Sequence, residues 1–414
     1  MRSREQVALI WEDDVYPTLT LIAFLVLLSL AVFPLARRSG TPFLLIVLGI
    51  GMLAGEDGPG GIDFDDFRLA YDLGSIALAV ILFAGGIETE RRIPKKVIIS
   101  ALLLAIPGVL ITVGIVGGLT HLALGIPILT ALLLGAVIAP TDAAATFMLF
   151  QHGNVSVPKK VKDTLFLESG LNDPVSIGLT VALTAFIATS NHFDTNSLLG
   201  SSYIVVVQIV SGIIGGLIGG WLLTALMNKL PVPVGLYPVL AFVGGLFVFG
   251  LVGMLGGSGF MAIYIAGAVV RNRLVHPVDR IMNFSEGLQW IAQLLVFLLL
   301  GLLVTPSQLA NTLVPALICA AILMFVARPI AVFVTLGASR FSFKELTFIS
   351  WMGLRGAVPI LLSIYPIIEP GPISHVFFNI VFVVVVSSLL LQGFTASFLG
   401  QKLALDRKDD AADK

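Results

Sequence analysis

A single cysteine, Cys319, stands among 414 residues, so no internal disulfide framework or thiolate metal cluster can form. It lies in an apolar run and reads as a small buried hydrophobe. Charge is scarce as well: Asp, Glu, Lys and Arg make up 12% of the chain and the net charge is -1. No basic surplus exists to hold nucleic acid. Five histidines, His121, His152, His192, His276 and His375, fall near the ends of apolar runs or in loops. They read as bystanders rather than pH sensors. What fills the chain is apolar: 57% of its residues are hydrophobic and the mean hydropathy is +1.01. Repeated apolar runs of about 20 residues mark a polytopic, all-α membrane protein.

Thirteen spans are predicted, at about 17–36, 41–54, 73–90, 97–120, 126–150, 164–189, 202–227, 235–255, 259–271, 282–304, 311–338, 346–368 and 374–399. Basic residues then collect on alternate connections. Arg37, Arg38, Arg91, Arg92, Lys95, Lys96, Lys159, Lys160 and Lys162 fall on one face. So do Lys229, Arg271, Arg273, Arg280, Arg340, Lys344, Lys402, Arg407, Lys408 and Lys414. The other face holds Arg2, Arg4 and Arg68, and the remaining two arginines are inside spans. This asymmetry predicts a cytoplasmic C-terminus and, with an odd number of spans, an external N-terminus. The sequence WEDD before the first span, with no small-residue site after it, does not read as a cleavable signal. Between spans two and three, GEDGPGGIDFDDF has the wrong spacing for a twelve-residue calcium loop. It reads as a solvated turn. The tail from 401 to 414 is too short and polar to fold alone.

The chemistry lies in the few charges within the membrane. Carboxylates and guanidinium groups are costly in hydrocarbon and persist there facing partners or a water-filled cavity. The sixth span, TLFLESGLNDPVSIGLTVAL, carries Glu168, Ser169, Asn172 and Asp173; Arg328 and Arg355 lie in spans eleven and twelve. At 3.6 residues per turn Ser169 and Asp173 stack on one face, while Glu168 and Asp173 diverge by about 140°. The two acids therefore have different tasks. Asp173, with the Ser169 and Asn172 oxygens near it, offers a hard-oxygen site, and Glu168 requires a fixed counter-charge such as an arginine. Two unrelated structural ion pairs are the plainer alternative.

Helix breakers coincide with charge in two other spans. In the fifth, GAVIAPTDAAAT places Pro140 just before Thr141 and Asp142; in the twelfth, WMGLRGAVPI surrounds Arg355 with Gly353, Gly356 and Pro359. Interrupted helices at matching places in two halves of a chain point to a midplane site with freed backbone carbonyls. Ordinary proline kinks are the alternative. Arginine stays protonated and suits permanent pairing, whereas a carboxylate can take up or release a proton. A desolvated Asp173 that binds a proton or a cation in competition would be an antiport site. Glu88, in FAGGIETERR, and Glu286 read as rim residues, with Glu88 within possible reach of an arginine. The glycines at 212, 216 and 220, and at 215 and 219, repeat every four residues and suit close helix packing.

These stretches resemble a known family. GMLAGEDGPGGI, PTDAAA, LESGLNDP, GLYPVLA, EGLQWIAQLLVFLLLGLLV, ARPIAVF and FISWMGLRGAVPI, from about residue 50 to 392, are similar to NhaP-type members of the first cation/proton antiporter family. The nearest likeness is to bacterial potassium/proton antiporters of the cell-volume-regulation type. The resemblance implies an inverted repeat with two crossed broken helices, and a transport domain over about 1–400. It further implies a mobile core from about 73–189 and 311–399 and a dimerisation scaffold from about 17–54 and 202–304. Asp173 would bind cation and proton, with Thr141 and Ser169 giving oxygens and Asp142 in support. Asn172 in place of a second aspartate would make exchange electroneutral. Glu168 would pair with Arg328, and Arg355 would brace the twelfth span, reaching towards Glu88. The implied partners are K⁺ or Na⁺, H⁺, membrane lipid and a second copy of the chain, in a bacterial inner membrane, with no cofactor. Potassium-type relatives commonly continue into a cytoplasmic regulatory domain, which this sequence does not include.

Two rival readings come from other classes. An intramembrane aspartyl protease could use Asp142 and Asp173 as a pair sharing a proton, although the GxGD signature is absent. A passive channel would conduct without proton coupling.

Overall fold

The computed structural model describes residues 2–39, 42–89, 93–142, 145–146, 150, 157–189, 195–275, 279–369 and 373–403. Among these, nine helices are long and apolar enough to cross a membrane. Four predicted spans fall short of that length for identifiable reasons. The fifth and twelfth are interrupted, and the second and ninth are helices of 12 and 15 residues. The predicted sites of Arg91, Arg92, His152, His192, His276, Arg407, Lys408 and Lys414 lie outside the described residues.

In chain order the helices are α1 (Arg2–Ser39), α2 (Phe43–Ala54), α3 (Phe67–Glu88), α4 (Lys95–Leu103), α5 (Val109–Leu124), α6 (Ile128–Ile138) and α7 (Lys159–Thr189). Next come α8 (Thr195–Lys229), α9 (Leu236–Met254), α10 (Gly259–Arg273), α11 (Asp279–Leu302) and the short α12 (Pro306–Leu309). The last are α13 (Leu313–Ala321), α14 (Arg328–Leu336), α15 (Phe343–Trp351), α16 (Ala357–Ile368) and α17 (His375–Lys402). Two π-helical turns, Leu104–Gly108 and Ile322–Ala327, join α4 to α5 and α13 to α14. Proline lies within the first, as Pro107, and just after the second, as Pro329. A wide turn accommodates the missing backbone donor without ending the span. Each π turn packs against the opposite span, the first on α14 and the second on α5. Spans four and eleven thus cross at their irregular turns.

Two groups of helices emerge from the packing. One gathers α4–α7 with α13–α17, and the other gathers α2 and α8–α11. Helix α3, which the expected boundary at about 73 assigns to the core, packs chiefly on α10 and α11 and more lightly on α16. Glycines permit the closest approaches. A Cβ on Gly86 would meet the α10 backbone and one on Gly267 would meet the α3 backbone, so the two helices touch main chain to main chain. Gly212, Gly216 and Gly220 seat α8 on Ser258, the N-cap of α10, and on Ala262 and Ala266 of α10, and Gly215 and Gly219 seat it on Val252 and Val248 of α9. Without a hydrophobic drive between helices in lipid, such contacts supply the association energy. Cys319 is fully buried. In the acidic loop, Asp57 accepts the Ser307 amide at 2.7 Å, which holds its carboxyl below the usual range. Asp66 caps α3 by accepting from Leu69 N at 2.8 Å.

Candidate functional site

The interrupted spans meet at the centre. After α6 the chain runs unwound through residues 139–142. Between α15 and α16 it runs unwound through residues 353–356. The breaks bond each other, since the Asp142 amide donates to Leu354 O at 2.8 Å. Asp142 also caps the helical continuation of its own span, accepting from Ala145 N at 3.1 Å, while its carbonyl accepts the Thr146 hydroxyl at 2.7 Å. Its carboxylate occupies the space a Cβ on Gly356 would need. That position is the N-cap of α16, where the positive end of the helix dipole favours an anion. Gly356 is a residue that composition alone gave no reason to single out beyond its place beside Arg355.

Helix α7 supplies the second layer. Thr141 lies against it: the Thr141 and Ser169 hydroxyls are 2.9 Å apart, and Asn172 Nδ2 donates to Thr141 Oγ1 at 2.8 Å. Asp173 is 5% exposed, and among the described residues neither its Oδ1 nor Asn172 Oδ1 has a hydrogen-bond partner. Away from this cluster, Arg328 grips Glu168 with both terminal nitrogens, at 2.5 and 2.9 Å. The 140° divergence of Glu168 and Asp173 therefore separates a closed ion pair from an oxygen left open.

Arg355 is fully buried. Its Nη1 donates to Gly353 O at 2.7 Å and its amide donates to Ser388 Oγ at 3.1 Å. It thus ties down the unwound segment from within and anchors it to α17. It does not reach Glu88; among the described residues no ion pair joins the two. Glu88 instead lines a cavity.

That cavity, of about 330 Å³, runs between α3, α7, α10, α11 and α16. Asp142, Gly170 and Asp173 form its inner end, and Lys162, Asp163, Asn283 and Glu286 its mouth. Thr141, Ser169 and Asn172 do not line it. Two carboxylates therefore face the cavity, and the hydroxyl and amide network stands behind them. Tyr264 of α10 reaches across the boundary. Its ring fills the space beside Gly170, and its hydroxyl lies 3.3 Å from Thr89 Oγ1. The signal that could have found Tyr264 is a lone aromatic with a polar tip inside the small-residue run MAIYIAGA. Within the cavity wall, Leu361 packs into the gap at Gly74. Further along, the Tyr71 and Tyr365 rings meet at 5.7 Å.

Residues 22–402 match the family described as sodium/hydrogen exchanger, transmembrane. The chain belongs to this family. It is 40% identical over 389 residues to the K⁺/H⁺ antiporter NhaP of Alkalimonas amylolytica, a match covering 94% of this chain and 67% of that protein. It is 41% identical over 372 residues to the K⁺/H⁺ antiporter NhaP2 of Shewanella baltica, covering 90% of this chain and 64% of that one. The chain thus spans about two thirds of the length of these relatives. The sodium proton antiporter MjNhaP1 of Methanocaldococcus jannaschii superposes with a TM-score of 0.81 at 24% identity, covering 94% of this chain and 99% of that one. The fold is shared. The family and its named members are transporters, which sets the aspartyl-protease reading aside.

Proposed function

We propose that this protein exchanges protons for K⁺ across a bacterial inner membrane, one for one and without net charge movement. Asp173 binds the two ions in turn. The observation that carries the reading is the Asp173 Oδ1 oxygen, buried without a partner among the described residues at the inner end of a cavity where two unwound segments cross. A proton or a desolvated cation satisfies that oxygen, and either excludes the other. Asp142 supplies a second carboxylate beside it, fixed by the α16 N-terminus. Thr141, Ser169 and Asn172 set the position of the two acids and add oxygens when the cation is bound. The neutral Asn172 leaves a single exchangeable charge, which supports electroneutral stoichiometry. Glu168 and Arg328 stay paired throughout, and Arg355 keeps the twelfth span open.

The preference for K⁺ rests on the relatives named as K⁺/H⁺ antiporters; Na⁺ is the second reading, favoured by the likeness to a named sodium antiporter. The asymmetry of basic residues supports a cytoplasmic C-terminus and an external N-terminus. The cavity mouth carries Lys162 from the basic face, so in this orientation the site faces the cytoplasm. Alternating access then moves α4–α7 with α13–α17 against a scaffold that retains α3. The exposed apolar surfaces of α1, α8 and α9 suit lipid and a second copy of the chain.

The test is a proteoliposome assay. With a pH gradient imposed and membrane voltage clamped, added K⁺, Na⁺ or Li⁺ should dissipate the gradient at a rate independent of the clamp, with K⁺ most effective. Proton flux indifferent to every cation contradicts antiport, and flux that follows voltage contradicts electroneutrality.

A further inference from the structure

The cavity accounts for one side of Asp173 only. Along α7 it is lined by Lys162, Asp163, Phe166, Leu167, Gly170 and Asp173, all but Leu167 within about 80° of the Asp173 direction at 100° per residue. Beyond Asp173 the same side continues with Ser176, Thr180 and Thr184, which lie within about 60° of the Asp173 direction at 100° per residue. All three are buried, at 0%, 0% and 5% exposure, and none of their hydroxyls has a hydrogen-bond partner among the described residues.

Most other buried helical hydroxyls in this molecule bond locally, with Ser75 of α3 a further exception. Thr112, Thr164, Thr224, Ser285 and Ser350 each donate to the carbonyl four residues back. That bond is the ordinary local refuge for serine and threonine inside a helix. Three consecutive hydroxyls on the Asp173 side of α7 depart from it. Buried polar groups without partners are costly and uncommon, and a functional role or a resident water is the usual reason for them. The row ends at Thr184, about 16 Å along the helix from Asp173, roughly half the hydrocarbon thickness.

We infer that Ser176, Thr180 and Thr184 form the second half of the ion path, a row of hydroxyl oxygens that binds water and the partly dehydrated monovalent cation between Asp173 and the face opposite the cavity mouth. This inference rests on the antiport reading. In the conformation seen here the row is buried and lies outside the cavity lining. When the site turns outward, the hydroxyls take over from the cavity walls, while water supplies the remaining hydrogen bonds.

The experiment compares Thr180→Val/Thr184→Val, which keeps shape and removes both hydroxyls, with Thr180→Ser/Thr184→Ser. Both are assayed for K⁺-dependent proton flux in proteoliposomes and for melting temperature in detergent. The valine variant should fold and lose at least about fivefold in exchange rate, roughly the effect of 1 kcal/mol on a barrier, and the serine variant should recover most of it. A folded valine variant exchanging at the wild-type rate overturns the inference. Should the valine variant not fold, Thr184→Cys in a Cys319→Ala background is exposed during K⁺ turnover to a membrane-impermeant thiosulfonate added opposite the cavity mouth. Modification supports the path, and an unreactive cysteine overturns it. Absence of K⁺/H⁺ exchange in the wild-type protein would instead sink the antiport reading itself.

Discussion

Glu168 and Arg328 sit in a setting where neither charge can be left alone. The guanidinium is 4% exposed and the carboxylate is fully buried, and both carboxylate oxygens are used. Glu168→Ala strands the cation, a change that destabilises by about 3–5 kcal/mol when one partner of a buried pair is removed. A lowered melting temperature in detergent is expected, and unchanged melting would argue against a stabilising role for the pair. Gly356 makes a different point. Its missing side chain is the space that the Asp142 carboxylate fills. Gly356→Ala should displace that carboxylate and slow exchange on the order of tenfold, equivalent to about 1.4 kcal/mol. Initial proton-flux rates at saturating K⁺ measure the effect, and a wild-type rate would remove Asp142 from the site. The charged residues here were legible in the sequence because charge in an apolar span is conspicuous. Gly356 was legible as a helix breaker but not as the seat of the Asp142 carboxylate, since that role lies in what a neighbour places against it. The suggested reach of Arg355 to Glu88 failed for a related reason. A long flexible side chain has many partners within its radius, and the nearest was a carbonyl two residues away.

At the scale of helices, small residues and irregular turns decide the arrangement. Gly86 and Gly267 bring α3 and α10 into backbone contact. Gly267→Val forces them apart, and over-packing of this kind costs about 1–3 kcal/mol. Reduced thermal stability in detergent is the expected result, with an unchanged melting temperature arguing that the helices can separate freely. The broken spans announced themselves through Pro140, Pro359 and the glycines around Arg355. The π turns did not, although Pro107 and Pro329 mark their places. A proline predicts a fault in the hydrogen-bond ladder, yet whether the span ends, kinks or widens depends on what packs against it. Here each wide turn rests on the opposite span, a contact between residues more than two hundred apart. Packing of α3 was hidden likewise, because chain order places it beside α4 while its glycine face joins it to α10 and α11.

For the whole molecule, hydropathy carried the architecture, an all-helical membrane protein, and the shared fold agrees with that much; the distribution of basic residues supplies the proposed orientation. The cavity could not be read in advance, being formed by five helices spread across the chain. Its mouth carries exposed Asn283 and Glu286. If the proposed orientation holds, Asn283→Cys should react with an impermeant thiol reagent in inside-out vesicles and be protected in right-side-out ones; the reverse pattern would invert the protein. The account as a whole depends on one acid binding either of two ions. Proton release from purified protein in weakly buffered detergent solution, recorded on addition of K⁺, tests that most directly. The wild-type chain should release protons saturably as K⁺ binds, and Asp173→Asn, still folded by its melting curve, should release none. Proton release from the folded Asp173→Asn variant at the wild-type level would contradict the account.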